Sequence, residues 1–180
     1  YFRHELWGVT RDWTRATLKL GEPVDRQNVR LGWYLGLGTL PIIFFGLLFS
    51  DQIENEARNL YVIGTTLIVL GLLLGLADHL ATHERGMEKL TRRDAAIIGF
   101  AQAMALVPGV SRSGATLTAG LALGLKRTDA ARFSFLLSVP AVALSDLYAL
   151  RTAVDGEWGG GVGTGDVIVA TILSFIVGYA

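Results

Sequence analysis

Apolar residues in this chain gather into blocks rather than into one-sided stripes. Residues 31–49, 60–77 and 133–150 are each close to the roughly 20 residues that a helix needs to cross a bilayer, and a fourth run, 167–180, is shorter. Pro41 and Pro140 fall inside two of these runs and predict kinks. Gly32 with Gly36, and Gly71 with Gly75, give small-xxx-small faces suited to close helix packing. Residues 95–125 break the pattern, being too long for one span and too short for two with a connection. Pro108-Gly109 divides them into two halves. The spacing predicts a re-entrant hairpin, one helix entering to mid-depth and a second returning, a geometry tolerated only against protein or a wet cavity. Thr91 with Asp94 has the spacing of a capping box for the entering helix, and Thr128 can cap the span that follows. The polar stretches between blocks read as connections. Residues 2–30 read as a solvated loop turning at Gly21-Glu22-Pro23, 50–59 as an acidic link, 78–93 as a basic one, and 156–165 as a glycine-rich loop around Trp158.

Charge tests this layout independently. Thirteen of the sixteen Lys and Arg residues lie in 2–30, in 78–93 and just after the hairpin, at Lys126, Arg127 and Arg132. Arg58 and Arg151 fall on the opposite side and Arg112 at the hairpin tip. Placing both hairpin ends on one side satisfies the positive-inside rule. The expected class is therefore all-α, a polytopic membrane protein with transmembrane helices and a re-entrant helical hairpin, forming one membrane domain over 1–180. A mean hydropathy of +0.44 agrees. Zero net charge argues against nucleic acid as a partner, and the absence of cysteine excludes disulfides and thiolate-bound metals. Tyr1 at the start and the short run 167–180 at the end lead us to expect a piece of a longer chain.

Candidate chemistry concentrates at residues 106–118, L-V-P-G-V-S-R-S-G-A-T-L-T. An arginine at the centre of a hydrocarbon layer costs roughly 2.5–3.5 kcal/mol even on the lenient insertion scale, so Arg112 needs a reason to be there. A helix starting just after Ser113 or Gly114 would aim unpaired N–H groups and a positive dipole end at the break. Gly109 and Gly114 allow close backbone approach. Arg112 offers a planar fork for phosphate oxygens, and Ser111, Ser113 and Thr116 add donors. Together they point to an anion site, with phosphate as the anion. The bland alternative is that the serines cap the helix while Arg112 pairs with a carboxylate elsewhere.

The string P-G-V-S-R-S-G-A-T, preceded by I-G-F-A-Q-A-M-A-L-V and followed by F-S-F-L-L-S-V-P, resembles the undecaprenyl-diphosphate phosphatase family of the bacitracin-resistance type. Pro41, the basic loops and Asp146-Leu147-Tyr148 extend the likeness along essentially the whole chain. The resemblance implies a bacterial plasma-membrane hydrolase that converts undecaprenyl diphosphate to undecaprenyl phosphate and recycles the carrier for wall synthesis. It also implies a fold of two inverted repeats and dependence on a divalent cation, Mg²⁺ or Ca²⁺. By resemblance Arg112 and Ser111 are the catalytic candidates. Gly109, Ser113, Gly114, Thr116 and Gln102 join them in binding the lipid diphosphate, and a homodimer is left open. The family's glutamate-rich first motif, E-G-x-T-E-F-L-P-x-S-S-T-G-H, does not occur here. Metal ligands are therefore not expected within these residues, and the piece alone is expected to be inactive.

A transporter or lipid flippase using the same anion site is the main rival, since a broken helix aimed at an anion is also transporter design. An intramembrane serine protease would need a histidine near Ser111, and His4, His79 and His83 all fall in polar segments. His79 and His83 would share a helix face, with zinc-compatible spacing, only if the second helix ran on past Ala77. Asp146 reads as a solvated carboxylate near a span's outer end.

Overall fold

A computed structural model describes residues 2–21, 23–49, 60–154 and 164–179. They are helical: α1 (Arg3–Thr17), α2 (Arg26–Leu48), α3 (Leu60–Leu80), α4 (Arg92–Ala103), α5 (Arg112–Ala122), α6 (Arg127–Val154) and α7 (Thr164–Tyr179). Among the described residues α2, α3 and Arg127–Leu147 of α6 are long and apolar enough to cross a membrane. The protein is an all-helical polytopic membrane protein. The expected loop around Trp158 lies outside the described residues.

The chain forms two compact units. The first is Tyr1–Ala141, and the second, Val142–Ala180, takes in the end of α6 and α7. In the second unit Asp146 is exposed.

In the first unit the expected solvated loop over 2–30 is instead largely a helix, α1, laid against α2. Leu6, Val9 and Trp13 recur at helical spacing within the charge-rich stretch, and that stripe outweighs the polar average. Trp13 covers Gly32, where an added Cβ would lie 2.7 Å from its ring. Asn28 Nδ2 donates to the buried Asp12 carboxylate at 2.7 Å. That hydrogen bond, ahead of the nearby Arg11 charge, holds the Asp12 carboxyl below the usual carboxylate range against the opposing effect of burial.

Asp25 caps α2 by accepting from the Gln27 N–H at 2.8 Å, which starts the helix five residues before the apolar run. Thr91 and Asp94 form the expected capping box at the head of α4, with bonds of 3.2 and 2.9 Å. α6 begins at Arg127, one residue ahead of the expected cap Thr128. α2 and α4 cross at Gly38 and Gly99, where a Cβ on Gly99 would stand 2.6 Å from the Gly38 Cα. The glycine pairs singled out from the sequence behave differently. At Gly36, Gly71 and Gly75 an added Cβ would meet nothing within 4 Å, and only Gly32 is packed. Gly120 packs on Ala130, whereas Gly124, at φ +79°, serves the turn after α5. The core lies where these helices meet, around Ile98, Leu121, Phe133, Leu136 and Leu137.

α4 and α5 form a helical hairpin whose two ends are stitched together. The Arg85 N–H donates to Gly124 O at 3.0 Å and the Lys126 N–H to Arg85 O at 2.9 Å. The Arg85 guanidinium reaches Leu123 O at 2.7 Å and Asp94 Oδ2 at 2.6 Å. Other basic residues tie the same end together: Arg30 to Glu88 O, Arg127 to Asp78 and Arg132 to Glu5. The hairpin's start and finish therefore share one end of the unit, the end that carries the basic segments.

Candidate functional site

The tip of the hairpin, residues 104–111, is built from tight local bonds. A single 3-10 turn, Met104–Leu106, closes α4, and the N–H of Val110 donates to Val107 O at 3.1 Å. Gly109 has φ +88°, a left-handed conformation that a side chain resists. It also lies flush on α3, where a Cβ would meet the Thr66 hydroxyl oxygen and would lie 2.6 Å from Ile63 O. The Thr66 hydroxyl sits 2.9 Å from Pro108 O, and also 2.9 Å from Val62 O and 3.0 Å from Ile63 O of its own helix, so one proton serves three carbonyls where the turn meets α3. Thr66 was not singled out from the sequence. Its one signal there is a hydroxyl inside an apolar run.

Two neighbours give the level of the tip. On α3 it lies beside Ile63 and Thr66, within two turns of the first residue, Leu60. On α2 Leu106 lies 3.7 Å from a Cβ placed on Gly46, two residues before the helix ends at Leu48. The turn thus reaches the far ends of both helices rather than stopping halfway along them. Twelve residues of α4 at ~1.5 Å each, extended by the 3-10 turn, supply that reach.

α5 starts earlier than its sequence suggested. Ser111 is the N-cap, its Oγ accepting from the Gly114 N–H at 3.2 Å, and Arg112 is the first helical residue. The Ser113 hydroxyl lies 3.3 Å from that of Ser111, and both serines are exposed. The N–H groups of Arg112 and Ser113 find no acceptor among the described residues, as expected for a first turn. Arg112 is half-buried and has no carboxylate partner among the described residues. One half of the bland reading is therefore present, the cap, and the ion pair is not.

Gly109, Ser111, Arg112, Ser113 and Gly114 come together around the head of α5. Gly114 leaves room for Ser111, whose Cβ would be 3.2 Å from an added side chain. Thr116 and Gln102 are placed differently. Thr116 is buried, with its hydroxyl on that of Ser134 in α6 and on the carbonyls of Arg112 and Ser113. It anchors the helix that carries Arg112. Gln102 is enclosed between α4 and α2, its amide 3.4 Å from Gly38 O and its Oε1 without a partner among the described residues.

Histidine chemistry is absent from this site. α3 runs past Ala77 but ends at Leu80, and His83 adopts φ +53°, so His79 and His83 do not share a helix face. His83 Nε2 lies 3.0 Å from Asp78 O instead, at the basic end. No group of three or more His, Cys, Asp or Glu side chains among the described residues could hold a metal ion. The head of α5 supplies donors and a cation, the wrong chemistry for a hard cation that requires oxygen ligands.

Residues 1–180, the whole chain, match the family described as bacitracin resistance protein BacA. The chain belongs to this family. It is 47% identical over 180 residues to undecaprenyl-diphosphatase 2 of Agrobacterium fabrum, covering 100% of this chain and 64% of the relative. It is 45% identical over 180 residues to the undecaprenyl-diphosphatase of a Nocardioides species, covering 100% of this chain and 65% of the relative. With the enzyme of Mycolicibacterium smegmatis it shares 46% over 182 residues, again covering 100% and 65%. The chain thus spans just under two thirds of the length of these BacA-family relatives.

Proposed function

We propose that this chain carries the phosphate clamp of a membrane phosphatase that hydrolyses undecaprenyl diphosphate to undecaprenyl phosphate and inorganic phosphate. In this reading it recycles the lipid carrier of wall synthesis in the bacterial plasma membrane and confers bacitracin resistance. The observation that carries it is Arg112, half-buried and without a carboxylate partner among the described residues, at the head of a helix whose first N–H groups are also unclaimed. The relatives' name, undecaprenyl-diphosphatase, supplies the lipid diphosphate.

The hairpin of α4 and α5 is read as re-entrant, entering and leaving on the side of the basic segments. Its tip then sits near the opposite face. There the Arg112 fork grips phosphate oxygens in a bidentate way, and the N–H groups of Arg112 and Ser113 complete an anion cradle. Ser111 accepts from Gly114, so its own hydroxyl proton is left to donate to the same phosphate. With the Ser111 hydroxyl bonded to Ser113 and Gly114 and to no histidine or carboxylate among the described residues, its role here is to cap and to donate, and Arg112 steadies charge that builds on the phosphate. Thr116 holds the helix from below through Ser134. A divalent cation, which the family resemblance implies, would draw its carboxylate ligands from outside the tip. A homodimer would use exposed apolar faces such as that of α3, where Leu67, Ile68 and Leu72 are uncovered.

The test is phosphate release by purified full-length protein given undecaprenyl diphosphate in micelles. Release of inorganic phosphate is expected. Failure to release it, with the lipid carried across vesicle membranes instead, would make the anion site that of a transporter.

A further inference from the structure

At the end of α2 away from the hairpin tip there is a second place suited to phosphate. An open cavity of about 600 Å³ lies between α2, the segment after α1 and the head of α4. Three arginines line it, Arg26 and Arg30 from α2 and Arg92 from α4, and no acidic side chain among the described residues does. Three basic residues of this end are engaged with carboxylates on other segments: Arg85 with Asp94, Arg127 with Asp78, Arg132 with Glu5. Arg26 and Arg92 have no ion pair among the described residues, and Arg30 reaches only the Glu88 carbonyl, at 2.7 Å. Of the neighbouring carboxylates, Asp25 is folded back onto the Gln27 N–H as the helix cap, while Glu5, Glu88 and Asp129 line an adjoining pocket that Arg30 also borders. The three guanidinium groups are exposed, so water screens their repulsion, and together they present a positive rim complementary to an anion.

The wall beneath the arginines is ordered in the same way as a lipid. Arg26, Arg30, Trp33 and Leu37 recur at steps of four, three and four along one side of α2, so the lining passes from cation to indole to aliphatic chain. Trp33 is 55% exposed, with Trp13 packed edge-on at 5.5 Å. Paired indoles directly below a basic rim are the arrangement that sits at the headgroup level of a bilayer. A soluble anion would satisfy the arginines and leave Trp33 and Leu37 without an occupant.

We propose that this cavity binds the phosphate headgroup of an anionic lipid in the leaflet bordering the basic end, with the lipid's first chain segments against Trp33 and Leu37. The site is separate from the tip and does not depend on the reaction there.

The test uses the full-length protein, delipidated in a neutral detergent, with binding read by native mass spectrometry. The probes are phosphatidylglycerol, phosphatidylcholine and inorganic phosphate. Phosphatidylglycerol should bind more tightly than phosphatidylcholine, and each arginine removed in Arg26→Gln, Arg30→Gln and Arg92→Gln should weaken it roughly fivefold. Arg93→Gln with Lys126→Gln, basic residues of the same end outside the cavity, should leave it unchanged. Arg26 is exposed in the first turn, so its single substitution gives a reading even if the triple variant folds poorly. Equal binding of the two lipids would overturn the proposal, as would equal loss in the Arg93/Lys126 variant. Displacement of phosphatidylglycerol by inorganic phosphate at matching affinity would make the occupant a free anion and would also overturn it.

Discussion

At the scale of single residues, the head of α5 combines two jobs in Ser111. As N-cap it satisfies the Gly114 N–H, and as a hydroxyl it retains a proton to donate. Ser111→Ala should therefore cost ~1 kcal/mol of stability. It should also lower kcat/KM roughly 10–100-fold, the worth of a hydrogen bond to a charged group. Ser111→Asn, which also caps, should recover the melting temperature. If Ser111→Ala melts normally, the cap is not contributing. Gly109 has a different constraint, since its left-handed φ and its contact with Ile63 and Thr66 both oppose a side chain. Gly109→Ala should destabilise by more than the ~1 kcal/mol that bounds the effect of an unstrained replacement, read from the thermal unfolding of purified protein. Unchanged unfolding would mean that the turn is free to move off α3.

At the scale of elements, the fit of α4 on α2 decides where the tip stands. The two backbones approach so closely at Gly38 and Gly99 that Gly99→Ala must push one helix off the other, at a cost of roughly 1–3 kcal/mol. Activity should fall with it, because α4 leads directly into the tip; an alanine tolerated there without loss of stability would refute the crossing. The sequence had pointed to other glycines as packing faces. Gly36, Gly71 and Gly75 have the right spacing, yet which glycine meets a neighbour depends on helix rotation, which spacing alone does not specify. α1 was hidden for a related reason: six Lys or Arg residues in 2–30 mask the short apolar stripe of Leu6, Val9 and Trp13. The capping box at Thr91, by contrast, is purely local and was legible to the residue.

At the scale of the molecule, the basic segments do more than face one side. Arg85 joins the start of the hairpin to its finish through Asp94, Leu123 and Gly124. Burial pushes the Asp94 carboxyl up, but the hydrogen bond from Arg85 and those from Thr91 outweigh it and hold the group below 3.8. A carboxyl depressed on folding stabilises fully above its unfolded value and loses that contribution as pH falls through the folded one. The stability difference between the protein and Asp94→Asn should thus be constant well above pH 3.8 and shrink below it. A difference unaffected by acid would show that the Arg85 pair contributes nothing. The blocks of apolar residues, the break at Pro108-Gly109 and the partition of charge made most of the helices and the hairpin legible beforehand. The level of the tip was not, because it depends on where α4 crosses α2 and on Thr66, a contact 42 residues distant in sequence. Likewise the burial of Gln102 and Thr116 follows from which side of each helix faces its neighbour. The central claim is that Arg112 grips the lipid diphosphate, and it is most directly measured by kcat/KM of the full-length protein on undecaprenyl diphosphate. Arg112→Ala should fall by roughly 10²–10³-fold, the effect of losing one charge-stabilising donor group, with Arg112→Lys restoring only part of it. Near-normal turnover by Arg112→Ala would contradict the account.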